Sequence, residues 1–168
     1  WTKEGCAVEE YFISPSKGRI SFDNTFDDIV QFVSIMPSLK HRLIIGTDSQ
    51  FHENDGTCFV TAIIVHREGK GGRYYYRKYR EPNMGRSLRQ RLYYEASQSL
   101  GLASRLTEKL AQNGYADLNV EIHLDIGENG PSREILKEVL GMVVGSGFDA
   151  QIKPYSFGAS SVADRYTK

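Results

Sequence analysis

Leu43, Ile44 and Ile45 form an unbroken apolar run between Arg42 and Gly46. A strand with one solvated face alternates; an unbroken run marks a strand covered on both faces. The strand predicted over 42–48 is therefore central in a sheet. Residues 119–126 read differently. Val120, Ile122, Leu124 and Ile126 alternate with Glu121, His123 and Asp125, giving one apolar and one polar face. Two further strands are predicted at 58–66 and 73–79, rich in Val, Ile, Thr and Tyr, with turns at Asn54-Asp55-Gly56 and at 68–72. A fifth is predicted at 148–153.

Helical spacing dominates residues 86–112, where Leu88, Leu92, Ala96, Ser99, Ala103, Leu106 and Leu110 recur in steps of three or four. Glu95 falls on that buried face, and Asn113-Gly114 closes the helix. Phe26, Ile29, Val30 and Val33 predict an earlier helix, capped by Asn24 or Thr25 and ended by Pro37. Asp27 and Asp28 read there as solvated first-turn acids matched to the helix dipole. A helix over 133–144 starts at Ser132, and a short last helix after Ser160 or Ser161 carries Asp164. Residues 1–20 show no clear period beyond a turn at Pro15-Ser16-Lys17-Gly18. From His41 the order is β-β-β-α-β-α-β-α. That order predicts an α/β fold with a mixed five-stranded sheet flanked by helices. Residues 1–40 would be an N-terminal helical extension and 41–168 the core of a single domain.

Composition narrows the function classes. The chain has 168 residues, 21 basic and 21 acidic, so no global field steers it toward polyanions. Local charge is another matter. The segment 67–91 is strongly basic, with Arg73, Arg77 and Lys78 interleaved among Tyr74, Tyr75, Tyr76 and Tyr79. That pattern suits phosphate contact with base stacking, or an edge strand protected by charge. Two cysteines without metal-type spacing, no visible leader and no long apolar run predict a reduced, cytoplasmic protein without a membrane partner. Phosphate-loop, nucleophile-elbow and zinc-type motifs are absent from the sequence.

Four acids stand out by position: Asp48 at the end of the first core strand, Glu95 on the inner face of the long helix, Asp125 near the end of the fourth, and Asp164 in the last helix. Neighbouring first and fourth strands would bring Asp48 and Asp125 to one edge of the sheet, within reach of Glu95. Converging carboxylates repel unless hard cations lie between them, and paired divalent ions can drive phosphodiester hydrolysis. Each acid also has a plainer reading: Asp48 capping the turn into Ser49, Glu95 paired with Arg91 or Arg89, Asp125 accepting loop amides, Asp164 facing a helix dipole. His123, on the face of Asp125, and Lys153 are candidates for substrate contact beside Arg73, Arg77 and Lys78.

This element order and placement of acids resembles the ribonuclease-H-like superfamily. Gly46-Thr47-Asp48-Ser49-Gln50, His123-Leu124-Asp125-Ile126-Gly127 and the segment 159–166 resemble, more narrowly, the YkuK-like family of bacterial proteins. The resemblance implies a site for one or two Mg²⁺ or Mn²⁺ ions at Asp48, Glu95, Asp125 and Asp164. It implies a nuclease cutting RNA, DNA or a hybrid. The alternative is a non-catalytic nucleic-acid-binding or assembly module of the same fold.

Overall fold

The computed structural model describes residues 10–127, 130 and 133–153. Its elements are β1 (Tyr11–Ser14), β2 (Gly18–Ser21), α1 (Phe22–Ile35), β3 (His41–His52), β4 (Gly56–Arg67), β5 (Gly72–Glu81), α2 (Leu88–Gln112), β6 (Asn119–His123), α3 (Arg133–Gly145) and β7 (Asp149–Gln151). The strands form one sheet in the order β2-β1-β5-β4-β3-β6-β7. β3, β4 and β5 make an antiparallel meander, while β6 runs parallel to β3 and β7 parallel to β6. The α/β architecture is thus the one the pattern predicts, with all five core strands present.

The sheet is wider than predicted, with seven strands rather than five. Residues 11–21 form a hairpin around the turn at Pro15-Ser16-Lys17-Gly18, and Ile13 pairs with Tyr76 on β5. Strands of four residues are too short to show a period, so only their turn is visible in sequence. α1 also starts earlier than predicted. Ser21 is its cap, accepting a hydrogen bond from the Asn24 amide at 3.0 Å.

That shift moves Asp28 out of the first turn, and it is not a solvated acid. It is buried and bonded to Lys17 at 2.6 Å, to Arg73 at 3.2 Å and to the Tyr75 hydroxyl. The hub ties hairpin, helix and sheet together. Burial pushes the Asp28 carboxyl up, but Lys17, Tyr75 and Arg73 outweigh it and hold it below the usual range.

One face of the sheet carries the main core. Leu43 and Ile45 of β3, Ile63 and Val65 of β4 and Ile122 of β6 meet Phe26 and Ile29 of α1, Ala103 and Leu106 of α2, and Val139 and Val143 of α3. Ile44, Val60 and Ala62 belong to the opposite face and are buried too, which accounts for the unbroken apolar run.

β3 does not stop at Asp48 as predicted. It runs on to His52, paired with β4 as far as His52 opposite Gly56. The three-residue turn is closed by the Asp55 amide on the His52 carbonyl, with Gly56 at φ +79°. β6 ends at His123, opposite Gly46. Asp48 therefore sits where the sheet narrows, at the foot of a three-stranded arm of β3, β4 and β5.

Candidate active site

The placement of Asp48 follows from register. Gly46 pairs with His123 across the parallel β3–β6 ladder. Asp48 and Asp125 each lie two residues past that last pair, and both carboxylates act electrostatically on Glu95. The ladder has ended there, so the Ser49 amide has no β6 carbonyl to meet. The Asp48 side chain accepts it instead, at 2.9 Å. No turn follows Asp48, since β3 runs on through Ser49, but the amide bond orients the carboxylate at the step in the sheet.

Glu95 arrives from α2. The Ser49 hydroxyl donates to Glu95 Oε2 at 2.5 Å. One helical turn on, Ser99 shares a 2.9 Å hydrogen bond with Thr47, which bonds Thr61 of β4 at 2.9 Å. These buried hydroxyls tether helix to strand beside the acids. Glu95 itself is 7% exposed. Burial drives its carboxyl well above the ordinary range, the Ser49 bond opposes this, and the charges of Asp48 and Asp125 add to the rise. Three of the four predicted acids, from three separate elements, are therefore electrostatically coupled. Asp164 lies outside the described residues, as do Ser132 and Glu128.

Lysines flank the acids. Past the last β6–β7 pair the Lys153 amide bonds the Ile126 carbonyl at 3.1 Å, and the Lys153 Nζ lies 3.1 Å from Asp125 Oδ1. On the other side Asp48 pairs with Val60, and Val60 with Lys78. One row of paired residues thus reads Lys78, Val60, Asp48. Lys78 is exposed and two strands, roughly 10 Å, from Asp48.

The other predicted contacts have partners of their own. Arg73 is held by Asp28, and Arg77 by Glu10 and Gln98. Arg77 and Lys78 border a cavity of about 340 Å³ with Tyr79 and Tyr94. The strand's alternation splits the basic run between two faces, so it is not one continuous patch. His123 is buried, with Nε2 2.8 Å from Glu121 Oε1. Burial holds its pKa below the ordinary value, against the pull of Glu121. Arg42 completes that group at 3.1 Å from Glu121. Two neighbours of the acids were not singled out by sequence. Ser49 looked like a small turn residue, although its spacing of two from Thr47 puts both on the helix side of β3. Arg91 was considered only as a partner for Glu95; its place one turn ahead on α2 was the available signal.

Among the described residues, no group of three or more His, Cys, Asp or Glu side chains is gathered closely enough to hold a metal ion. The donor chemistry nonetheless fits a hard divalent cation, being all carboxylate oxygen. Burial raises the Glu95 carboxyl first and the charges of Asp48 and Asp125 add to it, and a cation among the three would offset both.

Residues 24–168 match the family described as Ribonuclease H-like. The chain is also similar to the uncharacterized protein YkuK of Bacillus subtilis (strain 168), with 33% identity over 167 residues, covering 94% of this chain and 96% of that protein. No solved structure matches. No helix among the described residues is long and apolar enough to cross a membrane.

Proposed function

We propose, from the premise that the chain belongs to the ribonuclease-H-like family and to its YkuK-like branch, that it is a divalent-metal-dependent nuclease hydrolysing phosphodiesters of RNA, DNA or a hybrid. The observation that carries this reading is that Ser49 holds both the Asp48 and the Glu95 carboxylates just past the point where β6 ends. Asp48, Glu95, Asp125 and Asp164 would hold Mg²⁺ or Mn²⁺. The ion would neutralise the phosphodiester and activate water. The chain's own part is positioning. Asp48 and Asp125 each follow the last β3–β6 pair by two residues, and Ser49 bonds both Asp48 and Glu95. Lys153 is 57% exposed and can exchange Asp125 for a phosphate oxygen. Lys78 lies where an approaching strand would meet it. His123 is kept neutral by burial, is hydrogen-bonded to Glu121, and supports the site from within the sheet.

The test is titration of Mn²⁺ into the wild type and Asp48→Asn, followed by assays on labelled RNA, DNA and hybrid with each metal. Binding and cleavage by the wild type alone support the reading. No binding at millimolar Mn²⁺ refutes it.

A second reading, a non-catalytic nucleic-acid-binding or assembly module, is favoured by one observation. Asp125 already has Lys153 as a counter-ion. That reading expects strand binding that persists in Asp48→Asn and in chelator.

A further inference from the structure

All the arginines of residues 67–91 but Arg91 have an acidic or buried partner, on the exposed surface for Arg80, Arg86 and Arg89. Arg67 is buried over the Phe32 ring and bonds the Phe32 carbonyl and His41. Arg73 and Arg77 pair with Asp28 and Glu10. Arg80, Arg86 and Arg89 pair with Asp55, Glu53 and Glu138. Arg91 differs. Among the described residues it forms no ion pair. Its one hydrogen bond is a long contact of 3.4 Å to the Ser49 hydroxyl. Its Nε is buried with no hydrogen-bond partner.

An unpaired guanidinium beside three carboxylates needs an explanation. The acids are close enough for Arg91 to act electrostatically on Glu95, yet none of those described takes it as a hydrogen-bonding partner. A guanidinium offers five donors in a planar fork that matches a phosphate. A buried Nε without a partner is a cost that an incoming anion would remove. Arg91 also stands one helical turn before Glu95, so it shares that residue's side of α2. Its contact with Ser49 places it over the residue that links Asp48 to Glu95.

We propose that Arg91 is the phosphate-binding residue of this site, its guanidinium taking a phosphodiester of a polynucleotide while the carboxylates face the cation. The proposal rests on the nuclease reading for its substrate class. It predicts a contact that does not need the metal, and so separates from that reading by experiment.

The probe is a fluorescein-labelled six-nucleotide thymidine strand, its anisotropy followed in EDTA with wild type, Arg91→Gln, Arg91→Lys and Arg89→Gln. Mn²⁺ titration and thermal unfolding are run on the same four proteins. Arg91→Gln is expected to weaken strand binding about tenfold or more. It should also flatten the slope of log K against log salt by about 0.7. Its Mn²⁺ affinity should hold or rise, because a positive charge has left the acids. Arg91→Lys should recover part of the affinity, and Arg89→Gln, whose side chain is exposed and bound to Glu138, should match the wild type. No wild-type binding in EDTA overturns the proposal. So does strand binding by folded Arg91→Gln with unchanged affinity and salt slope. If Arg91→Gln fails to fold, Arg91→Lys decides: a loss of affinity in the folded protein supports the guanidinium contact, and wild-type affinity overturns it. Loss of Mn²⁺ binding in the wild type, with the strand contact intact, would refute the nuclease reading and leave Arg91 as a phosphate contact.

Discussion

Ser49 and Glu95 are joined across the gap between β3 and α2 by a hydroxyl–carboxylate hydrogen bond, and the join matches a second one between Thr47 and Ser99. The geometry explains the pair. Residues two apart on a strand are separated by roughly 6.7 Å, and residues four apart on a helix by about 6 Å. The two tethers therefore fit together only when helix and strand lie in one register. Sliding α2 by a residue would break both bonds and withdraw Glu95 from Asp48. Ser49→Ala should remove one tether and leave a buried carboxyl without its donor. Urea unfolding at neutral pH is expected to show a loss of about 1–3 kcal/mol with an unchanged m-value.

Glu95→Gln should stabilise the protein at neutral pH. A carboxyl raised in the folded state favours folding while it is protonated, below its ordinary value of 4.5, and loses that contribution as pH rises through the folded value. Glutamine keeps the shape without the charge. The gain in melting temperature should therefore be largest at pH 7–8 and fade on acidification toward 4.5. Equal melting temperatures across that window would contradict the burial argument. Added Mn²⁺ should raise the wild-type melting temperature and leave the glutamine variant less affected.

Asp28→Asn should act in the opposite sense. Here the folded carboxyl is held below its ordinary value of 3.8, so its contribution is present above that pH and is lost as pH falls through the folded value. Removing the charge leaves Lys17 and Arg73 facing a neutral amide. Both are partly exposed, which limits the penalty to about 3 kcal/mol. Chemical denaturation between pH 3 and 7 should show the two proteins converging at the acid end.

Gly56 and Gly114 offer a paired test of backbone against packing. Both have positive φ, at +79° and +83°. A Cβ on Gly56 would stand 2.4 Å from the Glu81 carbonyl, whereas one on Gly114 would meet nothing within 4 Å. Gly114→Ala should cost only the left-handed strain, about 1 kcal/mol. Gly56→Ala should cost clearly more and loosen the β3–β4 arm. Hydrogen exchange at residues 49–58 would register that loosening while the Leu43–Ile45 amides stay protected.

Periodicity was enough to reveal the central strands, the buried face of α2 and the alternation that sets Glu121, His123 and Asp125 on one side of β6. These are local properties, set by chain geometry and by which residues prefer water. It also named the acids, because a carboxylate on a buried element stands out wherever that element packs. What sequence left open depended on pairing between distant segments. The hairpin at 11–21 was too short to carry a period, and its strands exist because β5 offers them an edge. Asp28 looked solvated until the cap at Ser21 shifted the helix and Arg73 came across the sheet to meet it. The interleaved arginines and tyrosines looked like one surface, but the pleat divided them and gave most of the arginines internal partners. Chemical type and local period were written along the chain. Which charges are neutralised, and which one is left to meet a ligand, was decided only when strands far apart in sequence came into register.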